Sequence, residues 1–164
     1  MDDARPLPQL PAELLRACYA EAVRCYPSEA CGLLLGPADR PVCDEVRLCQ
    51  NQQDRLHAQD PVAYPRTSRT AYSLPAHEVL FLERSLGSER PVKIVFHSHI
   101  DVGAYFSDED RRAATWQGEP LYPVDHLVLD AGPEGVRGAR LYRFRDGDFV
   151  EVARYDAEGA RCEP

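Results

Sequence analysis

His97 and His99 stand two residues apart at the end of a β-branched apolar run, Val92-Lys93-Ile94-Val95-Phe96. A strand has period two, so both imidazoles leave the same face. Two neutral imidazoles meeting at one point make a divalent-metal site of borderline softness, for which zinc is the first choice. A catalytic zinc takes a third protein ligand and keeps one position open for water. Asp110, in the first turn of the next expected helix, can return a carboxylate to the strand end. Ser107-Asp108-Glu109-Asp110 is also an ordinary helix start, with Ser107 as N-cap and acids at the positive end of the dipole.

The elements that would position these groups can be read from periodicity. Pro11 opens a helix along which Leu14, Leu15, Cys18, Ala22 and Cys25 recur, and Pro27 stops it. Cys31 to Gly36 is a short apolar run bounded by glycine, a buried strand. Val42 to Cys49 alternates Val46 and Leu48 with Glu45 and Arg47, a half-exposed strand. Residues 50–69 are polar and aperiodic, a long loop of the kind usually kept for function. A strand is expected over Arg69 to Leu74, then a helix from Pro75 to Leu86 ended by Gly87. A third helix begins near Ser107. His126 to Asp130, Ala139 to Phe144 and Phe149 to Val152 close the chain as strands, the last two joined at Asp146-Gly147. Loosely alternating helices and strands with a terminal hairpin predict an α/β (α+β) fold around a mixed sheet. The expected division is an extended arm over 1–9, one domain over 10–152 and a tail over 153–164.

His97-Ser98-His99, seven residues, Ser107, two residues and Asp110 together resemble the motif of the JAMM (MPN+) metalloproteases. The resemblance implies a curved mixed sheet flanked by helices, related in architecture to cytidine deaminases. It implies that His97, His99 and Asp110 bind one zinc and that Ser107 supports the tetrahedral intermediate. Pro27-Ser28-Glu29-Ala30-Cys31-Gly32 resembles the family's upstream segment, which places Glu29 as general base. Asn51 and Tyr72 fall where bacterial members carry an asparagine and an aromatic, and the likeness spans about residues 10–152. One departure is Ile100, where many relatives have proline; it loosens the expected loop geometry but removes no ligand. Tyr105 and Phe106 stand where bulky residues are usual and should pack the loop on the core. Short bacterial members resemble peptidases that cut after the C-terminal Gly-Gly of ubiquitin-like or sulfur-carrier proteins. The implied partner is therefore such a Gly-Gly-tailed protein, and residues 51–69 are expected to border the site and clamp its tail. The alternative is a non-catalytic MPN-type scaffold that binds ubiquitin-like proteins, but such scaffolds have usually lost ligands that this chain retains.

Composition narrows the classes further. The 164 residues include 27 acidic and 19 basic side chains, a net charge of -8. Lys93 is the sole lysine. An acidic chain is poorly suited to displacing counterions from nucleic acid or anionic membranes, so neither is expected as partner. The longest apolar stretch, Ala30 to Leu35, cannot span a bilayer, and the acidic start has no apolar leader. Six cysteines without a Cys-x-x-Cys pair then suggest reduced thiols and a cytoplasmic location. Val102 replaces the last histidine of a metallo-β-lactamase-type His-x-His-x-Asp-His motif, and the Pro-Cys-x-x-Cys of zinc deaminases is absent. There is no glycine-rich phosphate loop and no Gly-x-Ser-x-Gly elbow. Of the remaining histidines, His57 and His77 read as surface and His126 as a hydrogen-bonded core residue near the site. Arg111 and Arg112 either meet an acidic substrate or form a solvated helix face.

Overall fold

The computed structural model describes residues 4–163, so the first three residues of the expected arm and the last of the tail lie outside it. Seven strands form one sheet in the order β2-β1-β3-β6-β7-β8-β9. These are β1 (Cys31–Leu35), β2 (Glu45–Cys49), β3 (Val92–Ile100), β6 (Asp125–Gly132), β7 (Gly135–Arg145), β8 (Asp148–Tyr155) and β9 (Arg161–Cys162). Helix α1 (Ala12–Cys25) covers one face; α3 (Ala76–Ser85) and α4 (Asp108–Ala114) cover the other. A short α2 (Gln53–Gln59) and a two-stranded hairpin, β4 (Thr115–Trp116) with β5 (Glu119–Pro120), complete the chain.

Central strands that are buried on both faces need near-continuous apolar runs, and β1 and the Ile94–Phe96 stretch of β3 supply them. Leu34, Ile94 and Phe96 pack under Leu15, Cys18 and Ala22 of α1. The alternate residues Leu33, Leu35 and Val95 pack against Leu82 of α3. His97 and His99 continue that second face toward α4. Gly32 is required where the Phe96 ring crosses β1, because a Cβ there would stand 2.3 Å from the ring. The sheet is mixed, as expected: β3 and β6 run parallel, and every other pair in it is antiparallel.

Three expectations about elements are corrected. Residues 50–69 are not wholly irregular, since α2 lies within them. Arg69 to Leu74 forms no strand. Its backbone is satisfied by the Asn51 side chain instead: Nδ2 donates to Ala71 O at 3.1 Å, and Oδ1 accepts from Ser73 N at 3.1 Å. The chain beyond 152 is no separate tail, because β8 runs on to Tyr155 and pairs with β9. Tyr155 is buried in the α1 core, and Tyr19 of α1 donates to Asp156 O at 2.9 Å.

Two cationic anchors lie away from the site. Arg143, in β7, is buried and forms a two-pronged pair with the buried Asp125 carboxylate, 2.8 Å on each side. It also donates to the carbonyls of Arg5 and Pro6, fixing the arm. Lys93 Nζ donates to the carbonyls of Pro37 (2.7 Å), Val42 (3.2 Å) and Arg40 and ties off the β1–β2 connection.

Candidate metal centre

β3 delivers both histidines to one point, and α4 delivers the third group. Ser107 caps α4: its Oγ accepts the Asp110 N–H at 3.0 Å, and Asp110 Oδ2 accepts the Ser107 N–H at 2.9 Å. This reciprocal cap turns the Asp110 carboxylate back toward β3. His97 Nε2 then lies 3.1 Å from Asp110 Oδ1, and His99 Nε2 lies 3.0 Å from Oδ2. One donor atom from each of the three residues falls within 4.8 Å of the others, and all three residues are buried.

The donor set fits a zinc ion on two observations. His99 Nδ1 lies 3.0 Å from Gly103 O. A carbonyl only accepts, so Nδ1 carries the hydrogen and Nε2 presents its lone pair. That lone pair faces a carboxylate oxygen, an approach that calls for a cation or proton between them. His97 is wholly buried; its Nε2 meets only the Asp110 carboxylate, and its Nδ1 has no hydrogen-bond partner among the described residues. Such orphans are rare in a protein interior unless an ion or water completes them. Burial also pushes the His97 imidazole below its ordinary value, toward the neutral form that ligates metal. Burial alone would raise the Asp110 carboxyl, but the two imidazoles outweigh it and hold it below the usual carboxylate range.

Glu29 is 4% exposed and sits between α1 and β1. Burial pushes its carboxyl up to about 9; Asp110 and Glu109 add to the push, and Arg66 opposes it. Its backbone is held on both sides. Glu29 N donates to Ser68 O at 2.7 Å, and Asn51 Nδ2 donates to Glu29 O at 3.0 Å. Ser98, the middle residue of the histidine triplet, accepts the Ala30 N–H on Oγ at 2.8 Å, and its own N–H donates to Ala30 O at 3.0 Å. The sequence reading gave Ser98 no task. Its signal was position: the residue between two ligands on a strand must point to the opposite face.

The structure thus brings His97, His99, Asp110 and Ser107 together, with Glu29 close enough that its carboxyl responds to Asp110. Tyr72 stacks on the His97 ring with centroids 4.5 Å apart. Phe106 packs the loop against Tyr142 and Phe149, but Tyr105 is half exposed and meets His99 edge-on. Ile100 ends β3 and pairs with Ala131; the turn follows at Asp101, with φ 63°, and Gly103, with φ 89°. His126 is buried between Phe106 and Phe149, but its Nδ1 has no partner among the described residues, so the expected hydrogen bond there is absent. Burial, with His97 adding, lowers its imidazole to about 3. Cys31 pairs in register with His97 but directs its thiol at Cys49 O, 3.8 Å away. His57 Nδ1 lies 2.7 Å from Tyr64 O, and His77 lies at the exposed start of α3. Arg111 pairs with Asp148 and Arg112 with Glu109, which occupies both on the protein itself.

The family described as prokaryotic homologs of the JAB domain matches residues 11–142. Proteins of Mycobacterium bovis and Mycobacterium tuberculosis named CysO-cysteine peptidase are each 33% identical over 143 residues, 85% of this chain and 84% of theirs. A solution structure from Desulfitobacterium hafniense superposes with TM-score 0.60 at 21% identity, covering 87% of this chain and 88% of that one. Another, from Salinibacter ruber, gives 0.57 at 16% identity and covers 88% of each. These two likenesses establish the fold alone. No helix among the described residues is long and apolar enough to cross a membrane.

Proposed function

The chain belongs to the prokaryotic homologs of the JAB domain, and from that premise we propose that it is a zinc peptidase. Its substrate is a ubiquitin-like or sulfur-carrier protein, cut at the amide bond that follows the C-terminal Gly-Gly. The observation that carries the reading is the convergence of His97 Nε2 and the lone pair of His99 Nε2 on the two oxygens of one buried carboxylate, Asp110. The peptidase name of the mycobacterial relatives supports the reaction class.

A zinc ion held by His97, His99 and Asp110 supplies a Lewis acid that acidifies water and polarises an amide carbonyl. Glu29 takes the proton of the attacking water and hands it to the departing amine nitrogen as the C–N bond breaks. Its position is fixed by the backbone bonds to Ser68, Asn51 and, through Ala30, Ser98. Ser107 Oγ already accepts the Asp110 N–H, which leaves its own hydrogen free to donate to the developing oxyanion. The products are a carrier ending in Gly-Gly and a free amine.

Purified protein is expected to hold about one zinc per chain by metal analysis. His97→Ala and Asp110→Ala should lose it. Glu29→Gln should keep zinc and fold but cleave a Gly-Gly-tailed carrier roughly a hundredfold more slowly. Undiminished zinc in both ligand variants, or wild-type turnover by the glutamine variant, overturns the assignment.

A further inference from the structure

Asp101 follows β3 with a left-handed backbone, φ 63°. That conformation is uncommon for a residue with a side chain and persists where its surroundings hold it. Its own N–H donates to Ala131 O at 2.9 Å, which pins the residue to β6. Its carboxylate is bound from two other segments. Tyr26, at the end of α1, brings its hydroxyl 3.1 Å from Oδ1 and 3.0 Å from Oδ2. Arg69 Nη2 stands 3.4 Å from Oδ2.

Each of these contacts leads within a few residues to a group of the centre. Tyr26 begins the segment Tyr26-Pro27-Ser28-Glu29. Arg69 directly follows Ser68, whose carbonyl accepts the Glu29 N–H at 2.7 Å. Gly103, just beyond Asp101 in the same turn, offers the carbonyl that lies 3.0 Å from His99 Nδ1. One carboxylate thus joins the two segments that hold Glu29 to the turn that holds the His99 ring.

We propose that Asp101 is a positioning residue that sets the spacing between the Glu29 carboxyl and the ligand nitrogen of His99. The inference rests on the reading of Glu29 as the base and His99 as a zinc ligand. A general base works only within hydrogen-bond reach of the proton it takes, so an error in that spacing falls on the chemical step. A misplacement of about 1 Å can cost roughly a hundredfold in rate. The Gly103 carbonyl also fixes which His99 nitrogen carries the hydrogen. Outer partners of this kind contribute about 10–100-fold to metal affinity or activity. Asp101 reaches no reacting atom itself; it acts through the segments it joins.

The test uses the full chain and two replacements that suit a left-handed backbone. Asp101→Gly removes the carboxylate, and Asp101→Asn keeps an acceptor for Tyr26. In zinc-loaded Asp101→Gly, kcat on a Gly-Gly-tailed carrier should fall about tenfold with KM changed by less than about twofold. Zinc affinity, read by competition with a chromophoric chelator, should also fall about tenfold. Asp101→Asn should recover most of both. Tyr26→Phe should lose part of each, and its effect should vanish in the Asp101→Gly background. Wild-type kcat and zinc affinity in Asp101→Gly overturn the proposal. A loss confined to KM, or additive losses from Tyr26 and Asp101, also overturns it. Should Asp101→Gly not fold, wild-type kcat and zinc affinity in Tyr26→Phe overturn it instead. A wild type that binds zinc yet cleaves no such carrier overturns the peptidase reading, while unchanged zinc affinity in the variants counts against Asp101 alone.

Discussion

At the scale of single residues, the site is built from groups held away from their ordinary ionisation. Glu29 keeps its proton in the folded, metal-free chain up to about pH 9, against an ordinary value of 4.5. Between these limits the folded state binds more protons than the unfolded state, so stability falls as pH rises. What Glu29 contributes is complete below about pH 4.5 and is lost by about pH 9. With chelator present, Glu29→Gln should match the wild type in thermal melting at pH 4. At pH 8 it should melt higher, with a gain on the order of a few kcal/mol. Parallel melting curves at both pH values would contradict a buried, protonated Glu29. Ser107 shows why residue types alone left two readings open. Helix capping and oxyanion donation use different parts of one hydroxyl, the oxygen lone pair and the hydrogen, so both can be true.

At the scale of elements, legibility followed periodicity. α1, α3, β1 and β3 declared themselves through apolar spacing, and the start of α4 through its cap. The seven-residue α2 did not, because Gln53, Asp54, Arg55, His57 and Gln59 leave Leu56 as its single large apolar side chain. The expected strand at 69–74 failed for another reason: one side chain, Asn51, meets the backbone groups that a neighbouring strand would otherwise meet. The convergence of His97, His99 and Asp110 was readable because strand period and helix cap fix direction locally. The placement of Arg66 was not, since it depends on how the 51–69 segment folds back. That segment does reach the site, through Ser68 and Asn51. Its outermost part carries Val62, which is 90% exposed, and Tyr64, which is half exposed. Replacing residues 61–64 with a Gly-Ser link spares the contacts of Asn51, Gln53, Arg66 and Ser68. Zinc content should be unchanged and cleavage of a Gly-Gly-tailed protein should fall about tenfold, consistent with lost main-chain pairing to the tail. Unaltered cleavage would reduce the tip to a connection.

At the scale of the whole molecule, one sheet carries the site at the C-terminal end of β3 and the arm anchor near the start of β6. Asp125 and Arg143 are both inaccessible to water, so neither can lose its partner cheaply. Asp125→Ala should lower unfolding free energy by roughly 3–5 kcal/mol. The check is a shift of the urea midpoint at constant slope; a shift within error would mean that the arm or solvent replaces the carboxylate. Nothing in the sequence singled out this pair, since its members stand on different strands and within otherwise apolar or mixed runs. Lys93 has a wider bearing. All three hydrogens of its ammonium are directed at main-chain carbonyls, and the chain has no second lysine. Proteins with activated Gly-Gly tails are joined to others by acylation of free amines. An enzyme with the function proposed above, keeping its one side-chain amine tied down, would be a poor acceptor for such tails and so would be shielded from becoming conjugated to its own substrate.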